Sequence, residues 1–187
     1  DRIFSVPHYT LQMICAVIVD FWKCADSSLS IDDVVMGGVS HSEMTVEDGV
    51  AAFRGTLSLD NGGGFASVRS RPAVFPLSGF DGLVLRVKGD GNRSRPAGDR
   101  YRLRLRTTDA SDGVSYEAVL EPFADEWEDL AVPFTSFRPV FRGRTVEGFP
   151  PLDPAAVRTL GLMISDRQEG PFRLELASID GWRATPG

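Results

Sequence analysis

Lysine is almost missing from this sequence of 187 residues: Lys23 and Lys88 are the only lysines among 20 basic residues. Cysteine and histidine are as scarce, with Cys15, Cys24, His8 and His41. Two cysteines are too few for a disulfide framework, so a reducing compartment is expected. Such dispersed histidines and cysteines make no zinc site. Long apolar runs are lacking too. A membrane helix needs about 20 apolar residues, and the longest run, LQMICAVIVDFW at 11–22, is broken by Gln12 and Asp20. Its β-branched content predicts a buried strand over 14–21 instead. There is no excess of positive charge: the net charge is −6 and the pI about 4.9. Nucleic-acid binding, which leaves a basic footprint, is therefore not expected.

What is present is the composition of one globular domain, 42% hydrophobic and 25% charged, enough to bury a sizeable core. Helical signals are few. Period-2 runs separated by glycine- and proline-rich turns predict an all-β sandwich. Candidate strands are 14–21, 34–45, 50–59, 64–70, 82–88, 101–107, 114–121, 127–132, 158–165 and 171–180. A short helix is expected at 153–158, where Asp153 is a natural N-cap and Pro154 takes the first helical position. The longest irregular stretches are 89–100 and 138–152, and long loops in compact β domains are often functional.

SIDDVVMGGVSHS at 30–42 holds the residue types of catalysis: Asp32, Asp33, His41 and Ser42. A triad is recognised by geometry, however, and neighbours in a strand point to opposite faces. No nucleophile-elbow pattern of the G-x-S-x-G kind occurs. The segment is better read as a turn whose aspartates accept backbone N–H bonds and whose glycines allow a bend. DNGGGF at 60–65 lacks the dinucleotide fingerprint and runs on into an alternating strand. GDGN at 89–92 lacks the spaced acids of a calcium loop, leaving a structural calcium as the alternative to no metal. No cofactor and no catalytic residue are expected.

One pattern stands above this background. In YRLRLRT, Arg102, Arg104 and Arg106 share one face of a strand, and Tyr101, Leu103 and Leu105 the other. In GLVLRVKGD, Arg86 and Lys88 oppose Leu85 and Val87. If the two segments pair, five cations line one side of a sheet. Like charges side by side repel unless answered. The answer is either Glu117, Glu121 and the acids at 125–129, or an acidic partner. Arg86, Lys88, Arg102, Arg104 and Arg106 are thus the candidate partner-binding residues. Exposed ion pairs contribute about 0–1 kcal/mol each, so replacing one arginine should barely alter stability.

The motifs fall into an ordered series: DDVVMGGVS at 32–40, FRGTLSLDNGGGFASVRS at 53–70, GFDGLVLRVKGDG at 79–91, YRLRLRT at 101–107, WEDLAVPFTSFRPVFRG at 127–143 and LGLMISDRQEGPFRLELASI at 160–179. This series resembles the complex I intermediate-associated protein 30 family over roughly residues 19 to 182. The resemblance implies a jelly-roll sandwich of the galactose-binding-like, carbohydrate-binding-module type with one or two short helices. It also implies a domain over 19–187 preceded by an extension at 1–18, and no catalytic residues. Members assist assembly of the membrane arm of mitochondrial complex I, and plant and algal relatives serve photosystem II biogenesis.

The resulting expectation is a non-enzymatic assembly factor or accessory subunit working through protein contacts with subunits of a large membrane complex. That complex would be respiratory complex I on the matrix side of the inner membrane or, alternatively, a photosystem at the stroma or thylakoid surface. A first residue other than methionine fits removal of a targeting peptide or an incomplete chain. Two rival readings remain. A carbohydrate-binding module would use Trp127, Trp182, Tyr101 or Tyr116 as a platform, though tryptophans in jelly rolls are more often core. RNA association is opposed by the acidic pI and by the lack of aromatic–basic interleaving.

Overall fold

A computed structural model describes residues 28–32, 41–60, 64–90, 100–109, 113–123 and 125–184. The strands are β1 (Ser28–Asp32), β2 (His41–Glu47), β3 (Val50–Leu57), β4 (Ala66–Ser70), β5 (Gly82–Lys88) and β6 (Tyr101–Arg106). They continue as β7 (Ser115–Leu120), β8 (Trp127–Pro133), β9 (Arg138–Phe141), β10 (Arg144–Thr145), β11 (Thr159–Ile164) and β12 (Gly170–Trp182). They form two antiparallel sheets. One has the order β1-β4-β11-β6-β7-β9-β10 and the other β2-β3-β12-β5-β8. The expected all-β sandwich is what the chain adopts.

The alternation of apolar residues builds the core. Tyr101, Leu103 and Leu105 of β6 and Leu160, Leu162 and Ile164 of β11 are fully buried. Leu103 lies in register with Leu162 on one side and Ala118 on the other. The second sheet contributes Leu83, Leu85 and Val87 from β5 and Leu174 and Leu176 from β12. Each buried aliphatic side chain is worth about 1.5–3 kcal/mol relative to exposure. Tyr101 joins the two layers: its ring centroid lies 6.5 Å from that of Phe53 and 6.4 Å from that of Phe172, while Phe53 and Phe172 are 5.0 Å apart.

β12 is central to its sheet, pairing with β3 and β5, and its register shifts between Leu176 and Ser178. The shift is visible in the sequence. Phe172, Leu174 and Leu176 point inward at even positions, and Ile179 and Gly181 at odd ones. One extra residue in a strand reverses which parity faces the core.

Several expectations change. β1 was not foreseen, and the expected strand at 14–21 lies outside the described residues. The described part of the strand expected at 34–45 begins at His41, and 33–40 are likewise outside. The expected irregular stretch 138–152 contains a hairpin of β9 and β10. Its two turn residues, Arg142 and Gly143, both have positive φ, 48° and 75°, as a tight hairpin turn matching strand twist requires. Pro139 obscured β9, since proline normally breaks ladders. It is tolerated here because only the two-residue β10 lies beyond. The helix expected at 153–158 is one 3-10 turn, Pro154–Ala156. The expected cap is present: the Asp153 carboxylate accepts from Ala155 N at 2.9 Å.

Candidate functional site

The five cations do not share a face. β5 belongs to the five-stranded sheet and β6 to the seven-stranded sheet, because the chain crosses between sheets after Lys88. Arg86 and Lys88 therefore lie on one outer surface of the sandwich, and Arg102, Arg104 and Arg106 on the opposite one.

The Arg86 face is compensated by neighbouring acids. Arg86 lies 3.4 Å from Asp129, Lys88 3.4 Å from Asp125, Arg54 2.7 Å from Glu43 and Arg173 2.6 Å from Glu175. Most of these groups are well exposed, so each pair contributes little.

The β6 face is different. Its central carboxylate, Glu117 on β7, stands directly across from Arg104, and its side chain is only 7% exposed. Glu117 Oε1 lies 2.9 Å from Arg104 Nε and Oε2 3.8 Å from an Arg102 terminal nitrogen. The Arg104 contact is close but poorly aligned, since Nε is left without a hydrogen bond of acceptable angle; it is a charge contact. Ser115 ties the group together: its hydroxyl accepts from Arg104 Nη2 at 3.0 Å and donates to Glu117 at 3.1 Å. Arg102 also donates two bonds from Nη2 to Asp166, at 2.9 and 2.8 Å. Arg106, 9% exposed, donates to the Gly113 carbonyl at 3.4 Å.

A fourth arginine belongs to this face. Gly161 of β11 is in register with Arg69 of β4 on one side and Arg104 of β6 on the other. Between two arginine-bearing strands, the outer face thus has a residue with no side chain. The result is a pocket of about 110 Å³ lined by Arg69, Arg104, Arg106, Ser67, Thr159 and Gly161, with Phe65 at its side. The Arg69 guanidinium is held below the usual arginine range, first by burial and then by the charge of Arg104. Arg69 was missed in the sequence because FASVRS carries one arginine alone; only the intervening β11 brings it beside β6.

The remaining sequence candidates scatter. His41 is exposed on the outer strand β2 and Ser42 is buried beneath it, as opposite faces demand. What fixes this corner is Gly55. A Cβ there would lie 2.0 Å from the His41 carbonyl oxygen, so β2 and β3 approach too closely for any other residue. Of the aromatic candidates, Tyr101 and Tyr116 are buried and Trp127 is 36% exposed, while Trp182 is half-buried. The Tyr116 hydroxyl donates to the Pro150 carbonyl at 3.0 Å, and burial, then Asp153, raises its pKa. Asp109 raises the pKa of Arg158, just before β11, by a hydrogen bond and by its charge. Of the loop 89–100, most lies outside the described residues. Its end is pinned by Arg100, whose N–H donates to Gln168 Oε1 and whose carbonyl accepts from Gln168 Nε2, both at 2.7 Å. Among the described residues no group of three His, Cys, Asp or Glu could hold a metal, and no helix is long and apolar enough to cross a membrane.

Similar folds occur in carbohydrate-binding modules. The family 11 module of the cellulosomal cellulase Lic26A-Cel5E of Clostridium thermocellum superposes with a TM-score of 0.57 at 14% identity, covering 96% of this chain and 97% of that one. The same family's module in complex with a β-1,3-1,4-mixed-linked tetrasaccharide gives 0.55 at 18% identity, covering 86% and 89%. At such identities the likeness is one of fold. In sequence, an uncharacterized protein of Schizosaccharomyces pombe is 33% identical over 171 residues, covering 84% of this chain and 77% of that protein. The sequence profile of Complex I intermediate-associated protein 30 matches residues 19–176. By that match, across most of its length, this chain belongs to the Complex I intermediate-associated protein 30 family.

Proposed function

We propose that this protein is a non-enzymatic assembly factor or accessory subunit of a large membrane protein complex, respiratory complex I, on the matrix side of the mitochondrial inner membrane. Family membership over residues 19–176 is the observation that carries the reading. The β6 face suits such a role. Arg102 and Arg104 project from a rigid sheet, not a loop, and share a buried carboxylate, with Arg106 beside them on the same strand. An acidic surface on a partner subunit would meet a pre-ordered set of forked donors, and preorganisation reduces what association costs. Arg86 and Lys88, each beside an aspartate on the opposite surface, are the secondary contact.

The test is recovery of membrane-complex subunits with a tagged protein from mitochondria, for the native sequence and for Arg106→Gln. Native protein should bring down complex I subunits, and Arg106→Gln should bring down markedly less while remaining folded. Recovery of no subunit of a membrane complex would overturn the proposal.

A second reading, carbohydrate binding, is favoured by the fold shared with the family 11 modules. It is weakened by the burial of Tyr101 and Tyr116, which removes two of its four candidate platforms. Reproducible binding on a glycan array at millimolar affinity or tighter would favour it.

A further inference from the structure

The pocket floored by Gly161 does not follow from an assembly role. Arg69 and Arg104 stand on either side of a glycine, in register with it. Those two residues sit on strands separated only by β11, and burial, then the charge of Arg104, depresses the Arg69 pKa. A side chain at 161 would close the gap only by pushing against the β4 backbone. Its Cβ would stand 2.8 Å from the Val68 carbonyl oxygen and 3.7 Å from the Arg69 Cβ, so the close approach of β4 keeps this position a glycine and the gap open. Arg106 is the third guanidinium lining the space, and Thr159, directly opposite it in register, brings a hydroxyl. Ser67 brings a second hydroxyl from β4. No acid is among the described residues that line the pocket. Glu117, the nearest described carboxylate in the ladder, is across β6 on β7 and engages Arg102 and Arg104 from that side.

We propose that this pocket is a binding site for a phosphate-class oxyanion, held by Arg69, Arg104 and Arg106 with the hydroxyls of Ser67 and Thr159. The chemistry matches at each point. Guanidinium groups fork onto phosphate oxygens with paired, charge-assisted hydrogen bonds. Three such groups suit an anion with more than one negative charge and at least three acceptor oxygens, whereas a carboxylate offers one charge and two oxygens. The hydroxyls can donate to whichever oxygen the guanidinium forks leave. At about 110 Å³, the pocket has the volume of a few water molecules, each of which takes about 30 Å³ in the liquid. That admits a phosphate group. The site does not depend on the assembly role and would stand if that role failed.

Titration calorimetry on the full chain with inorganic phosphate tests this. Parallel arms use O-phosphoserine, acetate, and sodium chloride matched in ionic strength. Phosphate should bind saturably with one site per chain, and acetate should bind much more weakly or not at all. Phosphoserine binding as well as phosphate would mark the ligand as a phosphate carried on a larger molecule; phosphate binding alone would mark it as the free ion. Arg69→Gln should weaken phosphate binding by about tenfold or more, the loss expected for a charge-assisted hydrogen bond. Thr159→Val, which keeps the side-chain shape and is the milder change, should weaken it by less. Gly161→Ala should abolish binding, and if it also fails to fold, the other two variants carry the comparison. The proposal is overturned by heats no larger for phosphate than for matched chloride, by equal binding of acetate, or by unchanged phosphate affinity in Arg69→Gln.

Discussion

Glu117→Gln is the substitution that separates a structural β6 face from a merely solvated one. Gln keeps the volume but removes the charge and replaces one acceptor oxygen with an NH2 donor. The side chain is 7% exposed, and the arginines it faces, Arg102 and Arg104, are 27% and 24% exposed. An ion pair in water contributes about 0–1 kcal/mol, whereas removing one member of a fully buried pair costs about 3–5 kcal/mol. With the acid buried and the bases partly wet, the cost should fall between, at about 2 kcal/mol. For a chain of this length about 1 kcal/mol shifts the melting temperature by about 2–4 °C, so a fall of about 4–8 °C is expected. Urea unfolding of Glu117→Gln, Arg104→Gln and the double variant supplies the cycle. A coupling of about 1 kcal/mol or more is expected, within the range for residues in direct contact. A loss below about 0.5 kcal/mol for Glu117→Gln, the range of ordinary surface changes, would refute the reasoning. The same geometry corrects the expectation that any one arginine is dispensable. Arg104→Glu would set two carboxylates directly opposite each other, one of them buried, so it should destabilise more than Arg104→Gln.

Other outcomes follow from the core and its edges. Leu103→Ala, at a fully buried site between Leu162 and Ala118, should cost about 2–5 kcal/mol in denaturant unfolding. Gly55→Ala should destabilise by about 1–3 kcal/mol, because its methyl group meets the His41 carbonyl and β2 must shift; His41→Ala, at an exposed side chain, should stay within about 0.5 kcal/mol of the native sequence. Tyr116→Phe should lose about 0.5–1.5 kcal/mol with its bond to Pro150. Tyr116 also carries a pH signature. Its folded pKa is raised, so the unfolded chain ionises first and stability is lost as pH rises above the tyrosine reference value of 10.0. Thermal melts between neutral and strongly alkaline pH should show that loss in the native protein and a smaller one in Tyr116→Phe.

Much of the fold was legible because a half-buried strand writes its parity into the sequence. YRLRLRT gave the inward Leu103 and Leu105 and the outward arginines without any tertiary information, and FRLELASIDG even carries the parity switch of its bulge. The hairpin at 138–145 was less legible: Pro139 argues against a strand unless one knows that its far side bears only two paired residues. The turn at 154–156 kept its cap but lost its length, because Thr159 onward is needed for β11 and the chain has no room for a second turn.

The functional face was half legible, and the missing half has a definite physical cause. Parity tells which residues share a face of one strand; it does not tell which strands are neighbours. Two basic strands adjacent in sequence, β5 and β6, were therefore expected to pool their charge. The chain instead changes sheets between β5 and β6, which divides the five cations into two groups on opposite surfaces. The same sheet order that separated Arg86 and Lys88 from β6 brought in Arg69. Its strand, β4, is remote from β6 in sequence, but β11 seats itself between them with Gly161 in register with both Arg69 and Arg104. Glu117 shows the opposite case. It is one of several acids that the sequence offers to answer the arginines, yet nothing in SYEAVLE distinguishes it from Glu121. Register alone makes Glu117 the buried partner of Arg104, while Glu121, past the end of β7, pairs with Arg100 in the open. Where a face is assembled from non-adjacent strands, its chemistry is set by sheet order, which a single sequence read strand by strand does not specify.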